Sequence, residues 1–207
     1  MLSIFSYIKI PEFTGYIKAD IEKLLRANNK QKTILHIKDV ADMNVSIAGQ
    51  YGLDKGICEL CGYLHDISAV VAPGDMIGYA MENGWYIDEV ERKYPFILHQ
   101  RISKIIAEQD FSVSDERVLS AIECHSTLKT NPSAYDMALF VADKLAWDQE
   151  GEAPFFSVVN NALKQSLESA SFAYMNYIVE NKMILYPHKW FEAGIMSLRK
   201  INVRGAY

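Results

Sequence analysis

The chain has 207 residues, of which half are apolar and 23% charged, and a net charge of −5. That is enough for one well-cored domain, and the acidic balance leaves no basic stripe to neutralise phosphates, which excludes a general nucleic-acid binder but not a nucleotide ligand. No apolar run reaches transmembrane length, residues 1–7 lack the basic region and cleavage pattern of a signal peptide, and Cys58, Cys61 and Cys124 form no disulfide framework, so a reducing cytoplasm is expected.

Helical periodicity dominates the chain, and glycines and prolines fall between helical blocks. A first helix is predicted over 16–27 and a second over 32–51, stopped by Gly52. Asp54 N-caps a third, to residue 67. Pro73 opens a short helix to residue 81, another short one spans 87–93, and Pro95 opens a helix to residue 109. Ser114 is read as the cap of the next, ending near His125, and Ser133 as the cap of a helix to residue 147. A turn at 151–154 precedes one long helix over 155–181, and Pro187 begins a last helix to residue 200. Strand-like alternation is nearly absent, so the expected fold class is all-α, a helical bundle with short loops.

Four of the five histidines, His36, His65, His99 and His125, fall on these helices together with Asp66 and Asp143. His36 shares a stripe with Val40 and Ile47, His99 with Phe96, Ile102 and Ile106, His125 with Val118 and Ile122, and Asp143 with Leu139. Each ligand-type residue therefore interrupts an apolar, core-facing stripe. A lone histidine on such a face is usually a satisfied core residue, and Asp143 alone could be an ion-pair partner of Lys144 or Arg101. The joint pattern differs, because buried carboxylates and imidazoles offset one another best around cations. Imidazole and carboxylate suit borderline and hard divalent metals, and six ligands exceed one four-coordinate ion, which points to two ions and to hydrolysis or oxygen chemistry.

The stretches His36-Ile37-Lys38-Asp39-Val40-Ala41, Gly62-Tyr63-Leu64-His65-Asp66-Ile67, Pro95-Phe96-Ile97-Leu98-His99, Ala121-Ile122-Glu123-Cys124-His125-Ser126-Thr127 and Phe140-Val141-Ala142-Asp143-Lys144 resemble the HD-domain metal-dependent phosphohydrolases. Within them the chain looks most like the YqeK-type proteins, which hydrolyse diadenosine tetraphosphate symmetrically to two ADP. The resemblance implies an HD-domain helical bundle over 1–207, with a core at about 32–150 and flanking helices packed on it. It implies that His36, His65, Asp66 and Asp143 hold a first metal, and that Asp66 bridges to a second held by His99 and His125. Asp66 would thereby also orient a nucleophilic water activated by the metals. Iron is the metal expected first, with manganese, cobalt, nickel or magnesium as alternatives. The expected partner is a small-molecule nucleotide, with neither nucleic acid nor membrane, and a homodimer is one further expectation.

The chain also departs from that pattern. YqeK-like proteins place a lysine where this chain has Ala69, and an acidic residue and an arginine where it has Leu145-Ala146-Trp147-Asp148-Gln149. Arg101, Lys104, Lys129 and Lys144 are candidate replacements, with Lys129 and Lys144 beside ligand positions, and Ser126-Thr127 could donate to a phosphate. The departures motivate one alternative, a catalytically weak nucleotide-sensing protein, and the ligand set alone admits another, an HD-type diiron oxygenase. Cys58-Glu59-Leu60-Cys61 has redox spacing but lies in an apolar helix and reads as core. Trp147 could stack on a base at a pocket rim but reads first as core, His188 reads as a helix start, and Tyr174, Tyr177 and Ile178 as a core or dimer stripe. No phosphate-cradling glycine loop or nucleophile elbow is present.

Overall fold

The computed structural model describes residues 1–204. Eleven α-helices make up the described residues, with no strand among them. They are α1 Ile17–Ala27, α2 Gln31–Tyr51, α3 Lys55–Leu64, α4 Pro73–Glu82, α5 Glu89–Lys93, α6 His99–Asp110, α7 Glu116–Cys124, α8 Ala134–Leu145, α9 Phe156–Leu163, α10 Leu167–Glu180 and α11 Lys189–Arg204. None is long and apolar enough to cross a membrane. The all-α expectation holds.

α8 runs through the middle, buried along most of its length from Met137 to Ala142. It packs on α2, α7 and α10, while α3 lies against α2 and α7. The α2–α3 contact is unusually close. A Cβ on Gly62 would lie 2.4 Å from the Cα of Ala41, so only glycine admits this approach, which brings His36 and His65 together. α2 ends on Gly52 in the left-handed region (φ 67°), as the sequence predicts.

Four predicted boundaries change. Helix α3 stops at Leu64, and a 3-10 turn over Ile67–Val70 follows instead of helix to residue 67. Successive residues of an α-helix point about 100° apart, so His65 and Asp66 meet one centre only because the helix ends there. Pro95 opens a 3-10 turn, Pro95–Leu98, and α6 begins at His99. Asp115 rather than Ser114 caps α7, accepting from the Arg117 backbone N–H. The single long helix over 155–181 is two, because the Ser166 hydroxyl accepts from the Ser169 N–H and starts α10 afresh. Ser133 caps α8 as expected, in a capping box closed by Asp136.

Candidate metal centre

Three of the four histidines sit at helix ends and repeat one local device. The Nδ1 of His65 lies 2.7 Å from the Gly62 carbonyl, that of His99 2.7 Å from Phe96, and that of His125 2.8 Å from Ile122. A carbonyl only accepts, so each Nδ1 carries the proton and each Nε2 presents a lone pair. Two of those lone pairs face one another, with His99 Nε2 2.9 Å from His125 Nε2, and the His65 lone pair points at His36 Nε2 at 3.3 Å. Facing lone pairs at 2.9 Å repel, and a cation between them removes the repulsion. His36 differs from the other three, lying within α2, with Nε2 3.1 Å from Asp143 Oδ1 and a buried Nδ1 that has no partner among the described residues.

Asp66 stands between the two histidine pairs. Its Oδ2 is 3.7 Å from His65 and 4.0 Å from His36, and its Oδ1 is 3.5 Å from both His99 and His125. Ligand-type atoms of His36, His65 and Asp66 form one cluster and those of Asp66, His99 and His125 a second, each with all atoms within 4.8 Å of one another. Asp143 Oδ1 adds to the first cluster, 3.7 Å from His65. The donor set, nitrogen and carboxylate oxygen only, fits divalent metals of the borderline to hard kind.

The local field agrees. Burial lowers the His65 imidazole, outweighing its carboxylate neighbours, and brings His125 down to about 4. Both are neutral at neutral pH, the form a metal requires. Burial alone would raise the Asp66 and Asp143 carboxyls, but the imidazoles around Asp66, and Lys144 with His36 beside Asp143, hold both well below the usual carboxylate range. Burial opposes charge on His36, yet the Asp143 carboxylate raises it.

A cavity of about 670 Å³ opens over the centre. His36, Asp66, His99, Asp143 and Lys144 line its polar end, and Tyr94, Trp147, Phe155, Tyr174 and Phe191 give it an aromatic wall. Lys144 is the cation that reaches it, with Nζ on Asp143 Oδ2 and 3.4 Å from the His125 carbonyl. Ser126 also reaches the site, its Oγ 3.1 Å from His99 Nε2.

Other predicted phosphate partners lie elsewhere or are engaged. Arg101 donates to the buried Glu91 at 3.2 Å and stacks on Trp85 at 4.3 Å. Lys129 donates to Ser120 and lies 3.5 Å from Asp136, outside the cavity wall. Lys104 is paired with Glu123. Thr127 lines the cavity, but its hydroxyl is tied to Gln100 and to the Leu128 carbonyl.

Sequence reasoning missed most of the aromatic wall, because a buried aromatic on a helix stripe reads as core. Trp147 is wall, with an indole N–H that has no partner among the described residues. Phe96, expected on a core stripe, is 56% exposed at the cavity mouth. Tyr174 and Tyr177 pack on Phe155, and Tyr174 and Ile178 line the cavity, so that stripe supplies core and cavity wall. His188 precedes α11 as expected, and it also lies 3.5 Å from Glu91 at the cavity wall. Cys58 and Cys61 are buried free thiols, as their helix implies.

Comparison with known proteins places this geometry. The chain is 37% identical over 138 residues to an uncharacterized protein of the pepC 5′ region in Lactococcus lactis subsp. cremoris, covering 67% of this chain and 70% of that one. It is 28% identical to the symmetrical bis(5′-nucleosyl)-tetraphosphatase of Staphylococcus aureus, over 59% of this chain and 62% of that enzyme, a little under two thirds of its length. A crystal structure described as a predicted HD superfamily hydrolase involved in NAD metabolism, from Clostridium acetobutylicum, superposes with a TM-score of 0.77 at 22% identity, covering 88% of this chain and 96% of that one. At that identity the likeness is one of fold. The HD domain profile matches residues 33–148, more than half of the chain and inclusive of all six clustered residues: the chain belongs to the HD domain family.

Proposed function

We propose that this protein is a metal-dependent phosphohydrolase that cleaves a nucleotide or dinucleoside polyphosphate, in the manner of a diadenosine tetraphosphatase. The observation that carries the reading is the position of Asp66, with one carboxylate oxygen toward each histidine pair. His36, His65, Asp66 and Asp143 would hold one ion, and Asp66, His99 and His125 another, with iron, manganese, cobalt, nickel or magnesium all compatible with the donors. Bound metals supply a water of lowered pKa and neutralise charge on a phosphoryl group.

The chain's own residues do the rest. Asp66 and Asp143 stay ionised, which keeps both oxygens of Asp66 available to accept. Lys144, whose ammonium Asp143 keeps charged against the cost of burial, stands beside the cluster to meet phosphate charge. Ser126 supplies a hydroxyl at the same edge. The aromatic wall receives a base and excludes water from the reacting end. The similarity to the staphylococcal tetraphosphatase supports a dinucleoside polyphosphate as the substrate to try first.

The test is a nucleotide screen on metal-loaded protein. Diadenosine tetraphosphate should give ADP as the nucleotide product, and Asp66→Ala should give none above background. Hydrolysis that persists in freshly purified Asp66→Ala would sink the mechanism. Tight nucleotide binding without product over long incubation would favour a sensing protein instead.

A further inference from the structure

The metal cluster borders two clefts. The second, of about 750 Å³, shares only Asp66, Phe96 and His99 with the aromatic cavity. Its other walls come from Tyr7 and Lys9 near the start of the chain, Ala27 to Lys30 at the α1–α2 junction, the turn from Ser68 to Pro73, and Met76 of α4. Tyr7, Lys9 and Lys30 lie outside the stretch that matches the HD domain, 33–148, so the flanking chain adds one wall, with both its lysines, to a cleft whose other wall belongs to the family core.

The cleft is built rather than incidental. The Lys9 N–H donates to Asn28 Oδ1 at 2.9 Å, and Asn28 Nδ2 donates back to the Lys9 carbonyl at 2.8 Å. This two-way clamp holds the segment around Lys9 beside the loop that carries Lys30. The Tyr7 hydroxyl donates to Asp75 at 2.7 Å and accepts from the Ala72 N–H at 3.0 Å, which fixes its ring at the wall. Phe96, 56% exposed, lines both clefts.

Charge separates this cleft from the rest of the surface near the centre. Arg101, Lys104, Lys129 and Lys144 are each paired with a carboxylate. Lys9 and Lys30 make no ion pair among the described residues, and both line the second cleft. Two unneutralised ammonium groups beside an exposed aromatic ring are a recognition surface for a phosphate attached to a flat ring.

We propose that the second cleft binds the far half of a two-ended substrate: a nucleoside diphosphate unit whose phosphates meet Lys9 and Lys30 and whose base lies against Phe96 and Tyr7. This rests on the hydrolase reading above. A dinucleoside tetraphosphate then lies across Asp66 with one half in each cleft. Water adds to one of the two middle phosphorus atoms, the bond from that phosphorus to the central bridging oxygen breaks, and the other half leaves with that oxygen. The net reaction consumes one water and gives two nucleoside diphosphates. Cleavage in the middle follows from the centre lying between two clefts that each take one half.

The experiment uses ADP as the probe, by equilibrium dialysis against the protein as purified, together with steady-state hydrolysis of diadenosine tetraphosphate. Wild type should bind two ADP per chain. The double variant Lys9→Glu, Lys30→Glu should bind one, with unchanged metal content and a KM for the dinucleotide raised at least tenfold. Ala69→Lys, which adds a cation to the same wall, should tighten the second ADP several-fold. One ADP per chain in wild type, or a double variant with wild-type stoichiometry and KM, overturns the second cleft while leaving the hydrolase reading in place. Two ADP bound with no turnover of the dinucleotide overturns the hydrolase reading and keeps the cleft.

Discussion

Three of the four clustered imidazoles are positioned by backbone rather than by each other. Each of His65, His99 and His125 gives its Nδ1 proton to the carbonyl three residues earlier, and the lone pair this leaves on Nε2 is what a metal needs. The arrangement carries a pH cost in the metal-free protein. The folded pKa of His125 is about 4, below its unfolded value, so the native state holds fewer protons there than the unfolded chain does. Stability is therefore fully present above the unfolded value and declines as pH falls toward the folded one. His65 acts in the same direction, and His36, whose pKa is raised, recovers part of the loss. For His125 the difference is worth about 3 kcal/mol. Thermal melts of metal-free protein should fall steadily from pH 6.5 to pH 4, and His125→Phe should flatten that slope. A midpoint independent of pH over this window contradicts the burial argument.

At the scale of elements, the close approach of α2 and α3 does the most for the site. Gly62→Ala places a methyl group against the Ala41 backbone, which cannot rotate away. It should cost about 1–3 kcal/mol and separate His36 from His65, measured as a lower midpoint together with weaker metal retention. A variant of unchanged stability would show that the two helices have slack. Helix existence was legible from the sequence, since the apolar stripes of α2, α6, α7 and α8 are regular. The interruptions were not. Residues 164 and 165 are Lys and Gln, good helix formers, so the Ser166 cap between α9 and α10 is hidden in a continuous pattern. The stop at Leu64 is equally hidden, because the apolar pattern of α3 continues through Ile67 and no glycine or proline marks the break. The six clustered residues could be named from their stripes and spacing. The engagement of Arg101 and Lys129 could not, because Glu91 and Asp136 reach them only through the fold.

Across the whole molecule, one buried helix supports both the core and the cavity. α8 carries Asp143 and Lys144 near its end and Phe140 one turn earlier, fully buried and edge-on to Tyr174 at 5.5 Å. Phe140→Ala should lower stability by about 3–5 kcal/mol and loosen the aromatic wall through Tyr174, seen as a lower denaturation midpoint and a raised KM for nucleotide. A loss below about 1 kcal/mol would mean that the neighbours collapse into the space. The segments before residue 33 and after residue 148 lie outside the family match, yet they complete both clefts. Under the proposed function, the flanking chain would set substrate choice and the shared core would carry the chemistry.

The central claim is that Asp66 joins two metal positions, and metal content per chain tests it most directly. Elemental analysis of wild-type protein loaded with manganese or iron should give two ions per chain, and Asp66→Ala should give fewer than one. Two ions retained in Asp66→Ala, or none bound by the wild type, would contradict the account.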